Sequence, residues 1–165
     1  MQKLMRPRRF DRYMQLWYAL LLVRHILARA RERELCQFGV SSVQDQIMFI
    51  VDNLNKPLTI TEISLWLFRE PHTVSWIVGQ MRKNGLIRKT RDPNRRNLVK
   101  VTLTKKGKEI HHRSMAGSRV IADIFSCLSE EESASLLSHL HKLRDKGFEA
   151  LGTTRIPPDP LKLVQ

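Results

Sequence analysis

Between Pro71 and Asn84 the chain places His72, Thr73, Ser75, Trp76, Gln80 and Lys83 on one side of a helical pattern, opposite Val74, Ile77, Val78 and Met81. The first set offers short polar donors and acceptors, with cationic side chains near the end. A helix face of this kind can enter a DNA major groove and reach base edges. A few residues later comes the turn-rich segment Thr90-Arg91-Asp92-Pro93-Asn94-Arg95-Arg96-Asn97. Arg91, Arg95 and Arg96 at a hairpin tip can reach a minor groove or its phosphates, where the negative potential is strongest. Each arginine alone is equally well a solvated loop charge. The recognition chemistry gains weight because the loop lies one short strand after the candidate reading helix.

The composition agrees with a polyanionic partner. Lys and Arg number 29 against 16 Asp and Glu in 165 residues, a formal charge of +13. Nucleic acid is the leading partner and an anionic surface the second. At 42% hydrophobic residues the chain can bury a core of its own. Cys36 and Cys127 are far apart, form no CxxC pair and suit a reducing, cytoplasmic setting as buried, inert thiols. The apolar run Leu16–Val23 is too short to span a bilayer and lacks a signal-peptide cleavage site, so no membrane association is expected.

The elements that must position these groups follow from periodicity and capping. Residues 1–9 are a basic arm. No Gly or Pro interrupts Phe10–Leu35, which at about 1.5 Å per residue makes a helix roughly 38 Å long. Phe10, Tyr13, Trp17, Leu20 and Leu21 recur at helical spacings, and nearly every position from 16 to 23 is apolar. A helix apolar all round is buried on more than one side, which in a small protein implies a second subunit. Ser41 or Ser42 caps a second helix, Thr59 or Thr61 a third, and Pro71 opens the fourth, which stops at Asn84-Gly85. Two strands follow, Leu86–Lys89 and Leu98–Leu103. Thr104 then starts a long helix towards Phe125, and Ser129 with Glu132 forms a capping box for the last. The tail from Thr153 should be irregular. The order helix, helix, helix, strand, basic turn, strand, helix is the winged helix-turn-helix plan: a mainly α (α+β) fold with long terminal dimerisation helices and a two-stranded β wing.

Five segments in order, Leu58-Thr59, Thr73-Val74-Ser75, Lys83-Asn84-Gly85-Leu86-Ile87, Asp92-Pro93-Asn94-Arg95-Arg96 and Leu103-Thr104-Lys105-Lys106-Gly107, resemble the MarR (multiple antibiotic resistance regulator) family. The resemblance covers residues 41–110. It implies an obligate homodimer whose first and last two helices interlock while two winged lobes bind a pseudopalindrome. It also implies a repressor released by a small molecule, a metal or an oxidant. Residues 1–40 and 108–150 would then dimerise, 41–107 would read DNA and 151–165 would be a tail. Carried over position by position, Thr73, Ser75, Trp76 and Gln80 fall on recognition-helix contacts, Arg95 or Arg96 on the wing arginine, and Asp92 on the acid that orients it. Three departures stand out. Phe68 occupies a position where a turn glycine is usual. Trp76 replaces a frequent Arg, and either packs on a sugar or thymine methyl or folds back on the third helix. The interval from Arg96 to Leu103-Thr104 is one residue longer than the family's pattern, which leaves open which wing arginine enters the groove.

Other groups invite other chemistry. Trp17, Tyr18, His25, Phe49 and His111 could line an effector pocket between dimer and DNA lobes, or serve as core and dimer seam. His111-His112, His139 and His141 make no convincing metal set, because adjacent helical residues point about 100° apart. No cofactor is implied. No nucleophile elbow or paired acid–base set appears, so an enzyme is not expected. The rival to DNA reading is a winged-helix interaction module that applies its basic face to a protein or anionic surface.

Overall fold

A computed structural model describes residues 8–91 and 98–152, with side chains from residue 11 onward. The arm at 1–7, the side chain of Phe10, the wing-tip residues Asp92, Arg95 and Arg96, and the tail from Thr153 lie outside the described residues. The elements run α1 (Arg8–Leu35), α2 (Ser42–Asn53), β1 (Leu58–Thr59), α3 (Ile60–Leu67), α4 (Pro71–Lys83), β2 (Ile87–Arg91), β3 (Val99–Leu103), α5 (Lys105–Ala116), α6 (Arg119–Phe125) and α7 (Glu130–Ala150).

Capping fixes the helix starts. Ser41, Thr59 and Ser129 each form a full capping box, with Gln44, Glu62 and Glu132 reaching back to the cap backbone. Each such cap is worth about 1 kcal/mol to its helix. Gly39, in the left-handed conformation at φ 67, ends the short turn after α1 and lets the chain reverse into α2.

The sheet has three antiparallel strands in the order β1-β3-β2, not two. The extra strand is the Leu58-Thr59 pair, with Leu58 opposite Val101. Two residues show no alternation, which is why periodicity does not reveal them. In the wing, Ile87 pairs with Leu103 and Arg91 with Val99. The inward face carries Ile87, Val101 and Leu103, which close a core with Ile47, Ile63, Val74, Val78 and Met81.

The long helix expected from Thr104 to Phe125 is two helices. α5 stops at Ala116, Gly117 accepts the role of C-cap, and α6 begins at Arg119. The break is stabilised from α1: the Glu34 carboxylate takes the backbone N–H groups of Arg119 and Val120 at 2.9 and 3.1 Å. Both thiols, expected to be buried, are exposed in the single chain. Cys36 sits in the turn after α1 and Cys127 just past α6, where neither is covered by the lobe's core. Among the described residues no helix is long and apolar enough to cross a membrane.

Candidate nucleic-acid interface

Helix α4 is anchored by one face and free on the other. Val74, Val78 and Met81 are buried and Ile77 packs against the same core. His72, Ser75 and Lys83 are exposed, while Thr73 and Gln80 are half-buried at the edge of the face. Trp76 is 67% exposed. An indole so open is not folded back on α3. It stands at the middle of a presented face about 20 Å long. Arg82 is also exposed beside Lys83. Sequence patterning passed over it, although its place in the last turn is where a cation favours the helix dipole.

The end of α4 is tied to the wing and α5 by a compact set of bonds, and these give physical meaning to two of the sequence segments. Gly85 takes φ 71 and turns the chain into β2. Thr104 accepts the N–H of Gly107 and so caps α5, while its hydroxyl lies 2.7 Å from the Gly85 carbonyl it can donate to. The Thr104 N–H donates to the Leu86 carbonyl at 3.0 Å. Lys106 donates to the Asn84 carbonyl at 2.9 Å. Gly107 lies so close that a Cβ there would fall 1.9 Å from the Leu86 oxygen. Asn84-Gly85-Leu86 and Thr104 to Gly107 are therefore two halves of one joint. It fixes the wing relative to the presented helix.

The wing adds one cation, Arg88, that the hairpin-tip reading did not include. Arg88 is exposed and donates from Nε to Thr102 on the outer sheet face at 3.0 Å. Arg91 is exposed at the end of β2, pointing the strand towards the tip. Alternation along β2 and β3 is the signal that places Arg88 outward.

At the other end of α4 the turn is unusual. Phe68 caps α3 with φ 50 and ψ 45, a left-handed conformation that costs a side-chain-bearing residue about 1–2 kcal/mol. The turn therefore keeps the geometry a glycine would give, with a phenyl ring added to it.

The lobe is joined to the outer helices by a buried polar cluster. Arg31 on α1 donates to Asp45 of α2 at 3.0 Å and to Glu34 at 2.5 Å. Its guanidinium also faces the Ser114 carbonyl at 3.4 Å, and the Ser114 hydroxyl lies 2.9 Å from Asp45. His111 Nδ1 lies 3.9 Å from Asp45, an ion-pair separation without a hydrogen bond. Burial pushes the Asp45 carboxyl up, but His111, Ser114 and Arg31 outweigh it and hold it below its ordinary range. Glu34 is lowered too: burial raises it, but the α6 amides and Arg31 prevail. No periodicity marks this cluster. Arg31 is one of seven arginines in α1, so nothing in the sequence singles it out.

The candidate effector residues divide. Phe49 and His111 meet edge to face at 6.3 Å. Trp17, Tyr18 and His25 are exposed on α1, and no described contact brings them to that pair. Trp17 is 14 residues before Arg31, about 21 Å along the helix. His111 and His112 turn to different carboxylates, Asp45 and Asp52. Tyr13, Trp17 and Leu20 are exposed and Leu21 is half-buried.

Comparison with known proteins agrees with this geometry. A family model described as a winged helix DNA-binding domain matches residues 40–107. The organohalide-sensing transcriptional regulator RdhR-CbdbA1625, crystallised with 2,4-dichlorophenol, superposes with a TM-score of 0.81 at 27% identity, covering 96% of this chain and 98% of that one. The family match covers the winged lobe, and over nearly all of its length the chain shares the fold of this regulator. A mutant MarR from E. coli complexed with operator DNA has the same fold, with a TM-score of 0.75 at 18% identity over 81% of this chain and 96% of that one. Reduced AbfR bound to DNA superposes at 0.67 with 20% identity, over 84% and 95% of the two chains. No curated protein sequence matches. By this similarity α4 takes the place of the second helix of the helix-turn-helix and the β2–β3 hairpin that of the wing.

Proposed function

We propose that the chain works as a homodimer that reads a pseudopalindromic operator, represses transcription there and is released by a small-molecule effector. The observation that carries this reading is α4: a helix locked by Val74, Val78 and Met81 that exposes Trp76, Ser75 and Lys83 beside a cationic wing. Dimerisation is supported by apolar side chains that a single chain leaves open. Tyr13, Leu16, Trp17 and Ile26 on α1, and Leu137 and Leu143 on α7, are each more than two-fifths exposed. Open apolar surface on that scale marks a protein interface. Residues 1–40 and 108–150 supply it, and 41–107 form the reading lobe.

Two α4 helices in such a dimer would enter successive major grooves, with half-sites about 34–36 Å apart or a multiple of that. Gln80, Ser75 and Thr73 would meet base edges, Trp76 a sugar or a thymine methyl, and His72 and Lys83 phosphates. Arg95 or Arg96, oriented by Asp92, would enter the minor groove, with Arg91 on its rim. The effector would bind between the dimer helices and the lobe, against Phe49 and His111, with Trp17, Tyr18 or His25 completed by the second chain. The dichlorophenol held by the RdhR relative supports a small aromatic as its class.

Two substitutions test the division of labour. Gln80→Ala should lower affinity for the selected operator by the worth of a base contact, about 1–3 kcal/mol, and leave random duplex nearly unchanged. Equal loss on both DNAs would remove Gln80 from base reading. The Arg95→Ala, Arg96→Ala double variant should weaken both and flatten the dependence of log affinity on log salt by about one per lost phosphate contact. An unchanged slope and affinity in a gel-shift or anisotropy titration would place the wing off the DNA.

A further inference from the structure

We propose that Phe148, near the end of α7, holds the turn before the reading helix through a ring stack on Phe68, so that the C-terminal helix sets the orientation of α4. The inference rests on the reading of α4 given above. Phe68 stands at the start of the turn Phe68-Arg69-Glu70 between α3 and α4. Its backbone is left-handed, the conformation in which glycine carries no steric penalty. The turn gains nothing locally from a phenyl ring, so the ring's use lies in what it touches. It stacks on Phe148 with ring centroids 5.4 Å apart and planes inclined by 27°.

Phe148 is the buried residue of α7, at 7% exposure, while Leu136, Leu137, Leu140 and Leu143 on the same helix, and Leu151 just after it, are open. One end of a helix about 30 Å long is therefore fastened to the lobe. The rest of its apolar surface is free for the second chain. The start of α4 needs such a hold. Its N-cap, Glu70, makes no side-chain capping bond, and Pro71 donates none from its backbone. The backbone bond from Arg69 to the Ser64 carbonyl at 3.1 Å closes the turn on the α3 side. The aromatic stack reaches it from α7. Any rearrangement of α7 in the dimer then moves the residue that leads into His72 and Thr73. Phe68 and Phe148 are positioning residues, and neither needs to touch DNA.

The full-length protein and three variants test this. Phe68→Gly keeps the left-handed turn and removes only the ring. Phe148→Ala removes the other ring, and Leu151→Ala, an exposed neighbour on the chain after α7, is the control. By hydrogen exchange, amides 69–74 should exchange about tenfold faster in both phenylalanine variants, with α2 and α5 unchanged and Leu151→Ala like the parent. Affinity for a duplex selected from a random pool by the parent protein should fall about tenfold in each. The double variant should be no worse than either single, as expected for two ends of one contact. Unchanged exchange at 69–74 in Phe68→Gly and Phe148→Ala, or losses that multiply in the double variant, would overturn the proposal. Should the parent select no sequence at all, the reading of α4 fails by that result, while the exchange measurement still decides whether α7 holds the turn.

Discussion

Arg31→Met should destabilise the protein by about 3–5 kcal/mol near neutral pH, the usual result of removing one partner from a buried ion pair. The side chains of Arg31 and Asp45 are only 11% and 12% exposed. Without the guanidinium, Asp45 keeps the Ser114 hydroxyl but loses its nearest cation, and Glu34 keeps only the α6 amides. Methionine fills the volume, so the loss reports charge rather than a cavity. Its pH dependence separates this from simple damage to α1. In the parent, Asp45 and Glu34 are held below their ordinary range when folded. They therefore contribute stability that is present above the unfolded carboxylate values, about 3.9 and 4.3, and is lost as pH falls through the folded ones. Protonation neutralises both carboxylates, so the gap between parent and Arg31→Met should narrow on acidification. Urea unfolding of both proteins from about pH 7 down to about pH 2, below the ordinary carboxylate values, measures it. A gap that stays constant would mean that the cluster contributes shape and not charge.

Gly107→Ala should cost about 3 kcal/mol, the upper end of what overpacking a well-filled site does. The added methyl would meet the Leu86 carbonyl oxygen at 1.9 Å and its carbon at 2.9 Å. Both are backbone atoms and cannot rotate away. Relief requires α5 to lift from the turn after α4, which breaks the Thr104 and Lys106 bonds to Gly85, Leu86 and Asn84. The same lift would tilt the wing against α4, so DNA affinity should fall with stability. Gly79→Ala is the matched comparison, since an added methyl there meets nothing within 4 Å. It should be neutral or slightly stabilising in thermal unfolding, because alanine is the better helix former. If the two alanine variants melted alike, the close joint between α5 and Leu86 would be wrong.

The winged lobe was legible in the sequence because each of its parts is local. Thr59 or Thr61 announces α3 through capping, as Ser129 with Glu132 does for α7 outside the lobe, and the structure uses Thr59. Val74, Val78 and Met81 mark the inner face of α4 by spacing, and the outer face follows by exclusion. The rest depends on contacts between distant residues. β1 is two residues long and exists because β3 is there to pair with it. The division between α5 and α6 depends on Glu34, some 85 residues earlier in the chain. The Arg31 cluster draws on α1, α2 and α5 and follows no period. Phe68 could be seen as a departure from a glycine position, but its use depends on Phe148, 80 positions later.

In the proposed function, two copies of this chain read one DNA site through α4 and the wing. Selection of bound duplexes from a random pool, followed by sizing of the complex on the enriched sequence, tests it most directly. The expected result is enrichment of a pseudopalindrome whose half-sites lie about 34–36 Å apart or a multiple of that, with two chains per duplex. A pool that emerges without a common sequence and binds no better than random duplex at moderate salt, or an enriched site bound by a single chain, would contradict it.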